Sequence, residues 1–182
     1  MRRMIGMVVL AITACAPRTD TDGGAFRASA APIYSIAGFD ASRLDGRWDQ
    51  VAAFSDGSEM PCRAGGADFA QAGAAMAVRY DLCLPGGPVS GGPVSGAPVS
   101  GAGAVRMTGP GRFAISGTGR MAADWWVLWV DEGYRTLAIG TPSGAFGFIL
   151  NRGKTVSADR LAAAREVLDF NGYRLETLVV FP

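Results

Sequence analysis

The stretch from residue 124 to residue 152 constrains the fold more than any other part of this chain. It contains three apolar runs of strand length, rich in Trp, Val, Ile and Phe, which suit a pleated, half-buried surface. These runs cover 125–130, 136–140 and 146–150. Asp131-Glu132-Gly133 is typical of a tight hairpin turn, and 140–144 is typical of a longer loop. The stretch predicts an antiparallel meander, and we expect the rest of the chain to close it into a barrel.

The remaining strands are predicted on both sides of the meander. Alternation at 45–54 indicates a first strand, with 55–66 as the loop that follows it. One face of that strand carries Trp48, Gln50, Ala52 and Phe54. Other strands are predicted at 67–71, 75–84, 105–108 and 113–116, with a closing strand at 175–181.

A helical pattern lies between the meander and the closing strand. It runs from Ala158 to about Asn171, with Ser157 as a candidate N-cap and Gly172 as a C′ residue. The predicted fold class is therefore all-β: an eight-stranded antiparallel up-and-down β-barrel with one C-terminal helix and a closing strand.

Composition narrows the functional classes. The chain has 182 residues, 49% of them hydrophobic and 18% charged, which is typical of one globular domain. Its net charge of +1 predicts no nucleic-acid partner. It contains no histidine, which removes the commonest general base and metal ligand. We therefore expect no catalytic residues, no metal and no cofactor.

The N-terminus predicts export and lipid attachment. Arg2 and Arg3 precede an apolar run at 4–14, which is too short to span a bilayer and fits a signal peptide. The run ends Leu-Ala-Ile-Thr-Ala-Cys, which resembles the lipobox of bacterial lipoproteins. The resemblance implies a signal peptide at 1–14 and a lipid on Cys15, with 15–36 as a flexible tether. The alternative is an ordinary secretory signal with a chance Cys15.

Two cysteines remain beyond the N-terminus. In an oxidising periplasm, Cys62 and Cys83 predict a disulfide, and a loop of 21 residues adds about 3 kcal/mol in the chain-entropy model. Two buried free thiols are the alternative.

A short repeat interrupts the middle of the chain. Residues 87–101 read Gly-Pro-Val-Ser-Gly twice and then Ala-Pro-Val-Ser-Gly. Since Pro at every fifth position disfavours a central strand or a helix, we predict a mobile loop over 85–103. It is either a lid or interaction tail, or a neutral expansion that a surface loop tolerates.

Three segments resemble the conserved regions of lipocalins. They are Gly46-Arg47-Trp48, Trp126 to Asp131 followed by Tyr134, and Phe148-Ile149-Leu150-Asn151-Arg152. The resemblance covers 37–182 and is greatest to the bacterial outer-membrane lipocalins and apolipoprotein D. It implies a lipocalin-like barrel in which Gly46, Trp48 and Arg152 plug one end, by an arginine–indole contact.

The resemblance and the strand alternation together imply a ligand site inside the barrel. The expected ligand-binding residues are Gln50, Ala52, Phe54, Trp126, Leu128, Val130, Phe146 and Phe148. On the last of these strands, the alternative inward face carries Gly147 and Ile149. The outward face of the Trp-rich strand would be an apolar patch, which the helix, a homodimer contact or a membrane could cover.

The functional expectation is a lipid-anchored lipocalin. Ala16 stands where an inner-membrane retention signal would have Asp, which implies the outer membrane with the domain facing the periplasm. The family resemblance implies a small hydrophobic ligand, such as a fatty acid or lysophospholipid, for storage or transport. The alternative is a structural envelope lipoprotein that presents loops to a protein partner and has no ligand cavity. No nucleophile motif supports an enzyme.

Overall fold

The barrel predicted from the sequence is present. The computed structural model describes residues 26–28, 31–55, 62–84, 97–117 and 119–182. Its barrel strands are β1 (Gly46–Phe54), β2 (Gly66–Ala72), β3 (Ala75–Leu84), β4 (Ala97–Gly109), β5 (Arg112–Ile115), β6 (Asp124–Val130), β7 (Thr136–Gly140) and β8 (Gly147–Asn151). Each strand pairs antiparallel with the next, and β8 and β2 both pair with β1, so the sheet closes on itself.

One helix and one further strand complete the fold. The helix α1 (Ala158–Phe170) packs on β6 and β7, and β9 (Leu178–Val180) pairs with the second half of β1. Two 3-10 turns, Ala41–Leu44 and Leu175–Thr177, precede β1 and β9. Among the helices in the described ranges, none combines the length and apolarity needed to cross a bilayer.

The two ends of the barrel differ in their connections. The end where β1 begins has short turns between β2 and β3, β4 and β5, and β6 and β7; we call it the plugged end. At the opposite end, which we call the loop end, β1, β3, β5 and β7 finish and the strands that follow them begin; the sequence intervals between these strands are longer than the turns at the plugged end. The helix α1 starts near the plugged end and finishes near the loop end, because Tyr173 just beyond it bonds to Thr141 and Phe146.

Two β-bulges change which side chains face inward. One lies in β1 between Gln50 and Ala52, and the other lies in β6 between Val127 and Trp129. A bulge inserts one extra residue into a strand and reverses the alternation beyond it. A strict two-residue period therefore assigns the wrong face to part of each strand.

The apolar side chains form two clusters, one on each side of the barrel wall. The interior cluster combines residues from all eight barrel strands, including Trp48, Trp125, Phe146 and Phe148. The outer cluster lies between the wall and α1, and it includes Phe54, Leu128, Ala164 and Leu168. Burial of such surface is the main source of the stability of the domain.

Part of the segment predicted as a tether is packed against the barrel. Phe26 and Arg27 are both buried, and Ile36 donates a backbone hydrogen bond to Val127 of β6 at 2.9 Å. Ile33 packs on the outer cluster. The packed domain therefore extends N-terminal of residue 37, and the tether prediction is corrected for 26–28 and 31–36.

The third copy of the repeat is part of a strand, which corrects the predicted loop. Ala97 to Gly101 belong to β4 and pair with Leu84 to Tyr80 of β3. Pro98 is accommodated opposite Cys83, and its missing N–H is tolerated near the start of the strand. The first two copies lie outside the described residues, as do the predicted signal peptide and Cys15.

Candidate functional site

The plugged end is closed by the arginine–indole contact that the sequence predicted. The guanidinium carbon of Arg152 lies 3.9 Å from the ring centroid of Trp48. The same guanidinium donates to the carbonyl oxygens of Arg47 at 3.0 Å and Arg43 at 2.9 Å. Partial burial lowers the pKa of Arg152, and the charge of Asp45 acts in the opposite direction. Because an arginine side chain stays protonated in proteins, Arg152 remains a cation at physiological pH and keeps its contact with Trp48.

Gly46 is needed beside this contact. Its φ is +92°, a conformation that side chains disfavour, and a Cβ there would lie 3.3 Å from Nη1 of Arg152. The indole N–H of Trp48 donates to the carbonyl of Leu44 at 2.7 Å. These contacts tie the 3-10 turn before β1 to the end of β8 and seal the base of the barrel.

A second aromatic contact extends the plug. The guanidinium of Arg43 lies 3.9 Å above the ring of Tyr134, whose hydroxyl accepts from the backbone N–H of Asp40 at 2.7 Å. Phe39 contacts both Tyr134 and Phe113, with ring centroids 5.7 Å and 5.6 Å apart. Packed side chains therefore close the base of the barrel, and they leave no passage for a ligand there.

The turn between β6 and β7 is held by the carboxylate that the motif predicted before a turn. Asp131 accepts from the backbone N–H of Thr136 at 2.7 Å and from Nε of Arg135 at 2.8 Å. Burial alone raises the pKa of the Asp131 carboxyl, but the hydrogen bonds from Thr136 and Arg135 together hold that pKa below its usual value. The carboxylate is therefore charged at neutral pH.

The upper interior is lined by four aromatic rings, Tyr80, Trp125, Phe146 and Phe148, which we call the aromatic cluster. Trp125 is central, with its ring centroid 5.3 Å from Phe148, 5.8 Å from Tyr80 and 6.4 Å from Phe146. Its indole N–H donates to the carbonyl of Met121 at 3.2 Å. All four side chains are buried, and the most exposed of them, Tyr80, is 6% exposed. The lining is apolar and is filled by its own rings in this conformation.

The structure gives the predicted ligand-binding residues different positions. Phe146, Phe148 and Val130 belong to the interior cluster, as their inward orientation requires. Ala52, Phe54 and Leu128 belong to the outer cluster under α1, and Trp126 packs there with Arg112 4.1 Å above its ring. The inward orientation expected for these last four residues is therefore corrected. The bulge in β1 explains Ala52 and Phe54. The predicted phase of β6 was reversed, and only the bulge brings Val130 inward.

Within the aromatic cluster, Tyr80 and Trp125 are the two rings that were not predicted to face inward. For Tyr80 a signal existed, since the apolar residues Val78, Tyr80 and Leu82 alternate with a charged residue at 79 and another at 81 along β3. For Trp125 no simple signal existed, because β6 is apolar on both faces.

Gln50 faces the interior but its amide is fully engaged in the wall. Nε2 donates to the carbonyl of Cys83 at 2.9 Å, and Oε1 accepts from the N–H of Cys83 at 2.8 Å. This side chain bridges β1 to β3 above the start of β2, where β9 has replaced β2 beside β1. Gln50 thus closes a seam in the barrel, which makes its amide a poor partner for a ligand.

The disulfide predicted from the sequence is present beside this seam. Cys62 and Cys83 are bonded, with their Cα atoms 5.5 Å apart. A pocket of about 810 Å³ opens on the outside of the seam, lined in part by Arg47, Arg63, Lys154 and Val180. Gln50 also lines this pocket, whereas none of the four rings of the aromatic cluster does. Within the described ranges, no group of three or more His, Cys, Asp or Glu side chains could hold a metal ion.

The outer apolar face is covered within the same chain. Tyr173 stacks on Phe54 with ring centroids 4.9 Å apart, and burial raises the pKa of Tyr173 to about 12, while the hydrogen bond from Thr141 acts in the opposite direction. Trp126 and Trp129 are half-buried against this outer cluster. The helix therefore covers part of the outward face of β6, and the homodimer prediction stays untested.

With this geometry the family can be stated. A family model described as the lipocalin-like domain matches residues 39–182 of the sequence. The chain therefore belongs to the lipocalin family. Lipocalins are in general binding and transport proteins for small hydrophobic molecules.

Solved structures show the same fold at low sequence identity. Insecticyanin from the tobacco hornworm Manduca sexta is 15% identical with a TM-score of 0.59, covering 83% of this chain and 84% of its own. Apocrustacyanin A1 from lobster is 11% identical with a TM-score of 0.55, covering 83% and 89%. The allergen Per a 4 from cockroaches is 12% identical with a TM-score of 0.57, covering 85% and 95%. No curated protein matches the chain. At these identities the likeness concerns the fold alone.

Proposed function

We propose that this chain is a lipid-anchored lipocalin of the outer membrane that faces the periplasm and carries one fatty acid or lysophospholipid. The observation that carries the ligand proposal is the aromatic cluster, an apolar lining in the half of the barrel opposite the plug. Apolar pockets with few polar groups are the usual sites for such molecules. Since the plugged end is solid, the ligand enters at the loop end.

The disulfide and the N-terminal sequence support an envelope location. A disulfide such as Cys62–Cys83 persists in oxidising compartments, which include the periplasm. The lipobox-like sequence that ends at Cys15 supports acylation, and Ala16 supports the outer membrane. The mass of the chain purified from a lipoprotein-processing bacterium measures the acylation directly, and an unmodified Cys15 would contradict the anchor.

The packed state of the interior defines how binding occurs. Because the rings of the aromatic cluster already contact each other, an acyl chain must displace at least one ring. Phe146 is the natural candidate, because it is the last residue of the loop before β8 and therefore lies at the loop end of the barrel. Ligand binding should therefore change the environment of Trp125, and tryptophan fluorescence reports it.

The test is a titration with a fluorescent fatty acid and with a lysophospholipid, followed by tryptophan fluorescence. We expect saturable binding with a spectral change that Trp125→Phe abolishes. Trp129→Phe is the matched control, because Trp129 lies outside the barrel and should retain the signal. Absence of saturable binding by a folded protein would refute the ligand proposal.

A second candidate function is favoured by the same packing. Interior side chains such as Trp125, Phe148 and Leu82 are fully buried, as expected for a filled barrel that serves as a structural envelope protein. Phe146→Ala separates the two candidates, because it opens space at the loop end. A carrier should then bind its ligand more tightly, whereas a structural barrel should lose stability and gain no saturable binding.

A further inference from the structure

The N-terminal segment is fixed to the loop end of the barrel. The backbone N–H of Phe26 donates to the carbonyl of Gly144 at 2.7 Å, and the N–H of Arg174 donates to the carbonyl of Phe26 at 2.9 Å. The ring of Phe26 stacks on Phe54, with centroids 5.9 Å apart. The chain thus reaches the domain beside the loop between β7 and β8.

Arg27 locks this attachment. Its side chain is 3% exposed and donates to the carbonyl oxygens of Pro142 at 2.9 Å, Asn171 at 3.1 Å and Ala31. A buried guanidinium is costly unless its donors are satisfied, and here three carbonyls satisfy them. The point at which the N-terminal segment joins the barrel is therefore rigid.

An exposed aromatic pair lies at the same end. Tyr34 is 54% exposed and Phe170 is 73% exposed, with ring centroids 6.0 Å apart. Both are held in place, since Phe170 ends α1 and the N–H of Tyr34 donates to Oδ1 of Asn171 at 2.7 Å. Tyr is enriched at the interfacial region of a bilayer, and Phe is typical of apolar faces that insert there.

The distance from the anchor favours one orientation. Cys15 lies eleven residues before Phe26, so the intervening chain can span at most about 36–40 Å. The nine residues of β1 span about 30 Å along the strand, which at the usual tilt of about 35–45° corresponds to a barrel height of about 21–25 Å. With the plugged end toward the membrane, the chain would use more than half of its maximum reach to pass along the barrel. With the loop end toward the membrane, it needs little of that reach.

We propose that the loop end faces the lipid surface, with Tyr34 and Phe170 inserted at its interface. This inference rests on the proposed acylation of Cys15. In this orientation the entrance to the barrel opens directly on the membrane, and an acyl chain passes between bilayer and barrel without crossing bulk water.

The test measures orientation with a tether that does not depend on cellular acylation. A hexahistidine tag replaces residues 1–14, Cys15 becomes serine, and the protein is held on phosphatidylethanolamine–phosphatidylglycerol vesicles that contain nickel-chelating lipid. The native chain has no histidine, so the tag is its one strong nickel ligand. A fluorophore is placed on Ser143→Cys at the loop end or on Glu132→Cys at the plugged end, both exposed positions.

Energy transfer to acceptors on the lipid headgroups then reports which end is nearer. We expect transfer from position 143 to exceed that from position 132 by at least about twofold, since the labels are separated by about the height of the barrel, roughly 21–25 Å. Equal transfer from the two positions, or stronger transfer from position 132, would overturn the proposed orientation.

A second set of variants tests the aromatic pair. Replacing Tyr34 and Phe170 with serine should bring the transfer ratio toward one, whereas Met107→Ser, at an exposed position on β4 away from the loop end, should leave it unchanged. An unchanged ratio in the double variant would refute the role of the pair. Ligand titration and the mass of the cell-derived chain are measured separately. Failure of binding or of acylation would therefore count against the proposed function without altering the orientation result.

Discussion

The two ends of the barrel are held by different kinds of interaction. At the plugged end, charged and aromatic side chains such as Arg152, Trp48 and Asp131 bond to nearby backbone groups across short turns. At the loop end, a disulfide, one buried amide and a set of packed rings hold longer connections. The base is therefore specified by directional contacts, whereas the upper half relies mainly on apolar packing.

The largest loss in the free energy of unfolding should follow from Trp48→Ala at the plugged end. Truncation of a fully buried aromatic side chain costs about 3–5 kcal/mol, and here it also removes the surface on which Arg152 stacks. We expect a loss of that size in the free energy of unfolding in urea. Trp129→Ala, on the half-buried outer face, is the control and should cost clearly less. Equal losses of unfolding free energy in the two variants would show that the contact between Trp48 and Arg152 adds no stability to the domain.

Removal of the disulfide tests the loop end. Cys62→Ala with Cys83→Ala releases a loop of 21 residues, and we expect a loss of about 3 kcal/mol in the free energy of unfolding. A reducing agent should lower the unfolding midpoint of the parent protein similarly and leave the double variant unaffected. If reductant destabilises both proteins alike, the bond does not provide the predicted constraint.

Loss of the Gln50 hydrogen bonds at the seam should lower the free energy of unfolding by less than loss of the plug or of the disulfide. Gln50→Met preserves the size of the side chain but leaves the N–H and carbonyl of Cys83 without their partner, at a cost of about 1–3 kcal/mol. Gln71→Met, at an exposed position on β2, should change stability by no more than about 0.5 kcal/mol. Thermal unfolding of both variants measures the difference, and a neutral Gln50→Met would show that the seam needs no polar closure.

The smallest effect concerns pH at the plugged end. Asp131→Asn should cost about 1–2 kcal/mol near neutral pH, since it weakens the charge-assisted bonds to Thr136 and Arg135. The folded-state pKa of Asp131 is lowered, so its contribution is fully present above the unfolded-state pKa of about 4. It is lost as pH falls through the lower folded value. A stability difference that persists unchanged below that range would contradict the assignment.

Much of this fold could be predicted from the sequence. Strands at 75–84 and 136–140 and a helix starting at Ala158 follow from local patterns, and the structure has them at those bounds. The plug and the disulfide could also be predicted, since each joins chemically distinctive residues. Such features are encoded within short windows or by rare residue types.

The parts that could not be predicted depend on contacts distant in sequence. The bulges in β1 and β6 arise from strand pairing, and an apolar strand such as β6 carries no alternation that would reveal them. The docking of Phe26 and Arg27 requires carbonyl groups from Pro142 and Asn171, which no local pattern around residue 26 contains. The lack of alternation in β6 is also why the interior position of Trp125 could not be predicted.

The entry of the third repeat copy into β4 has a consequence for how this gene segment can vary. Because the first two copies are identical and the third differs only by Ala97, the loss or gain of a unit presents nearly the same five residues to β3. Recombination could thus shorten or lengthen the connection in steps of five without disturbing the strand. Natural length variation should concentrate there, at little thermodynamic penalty.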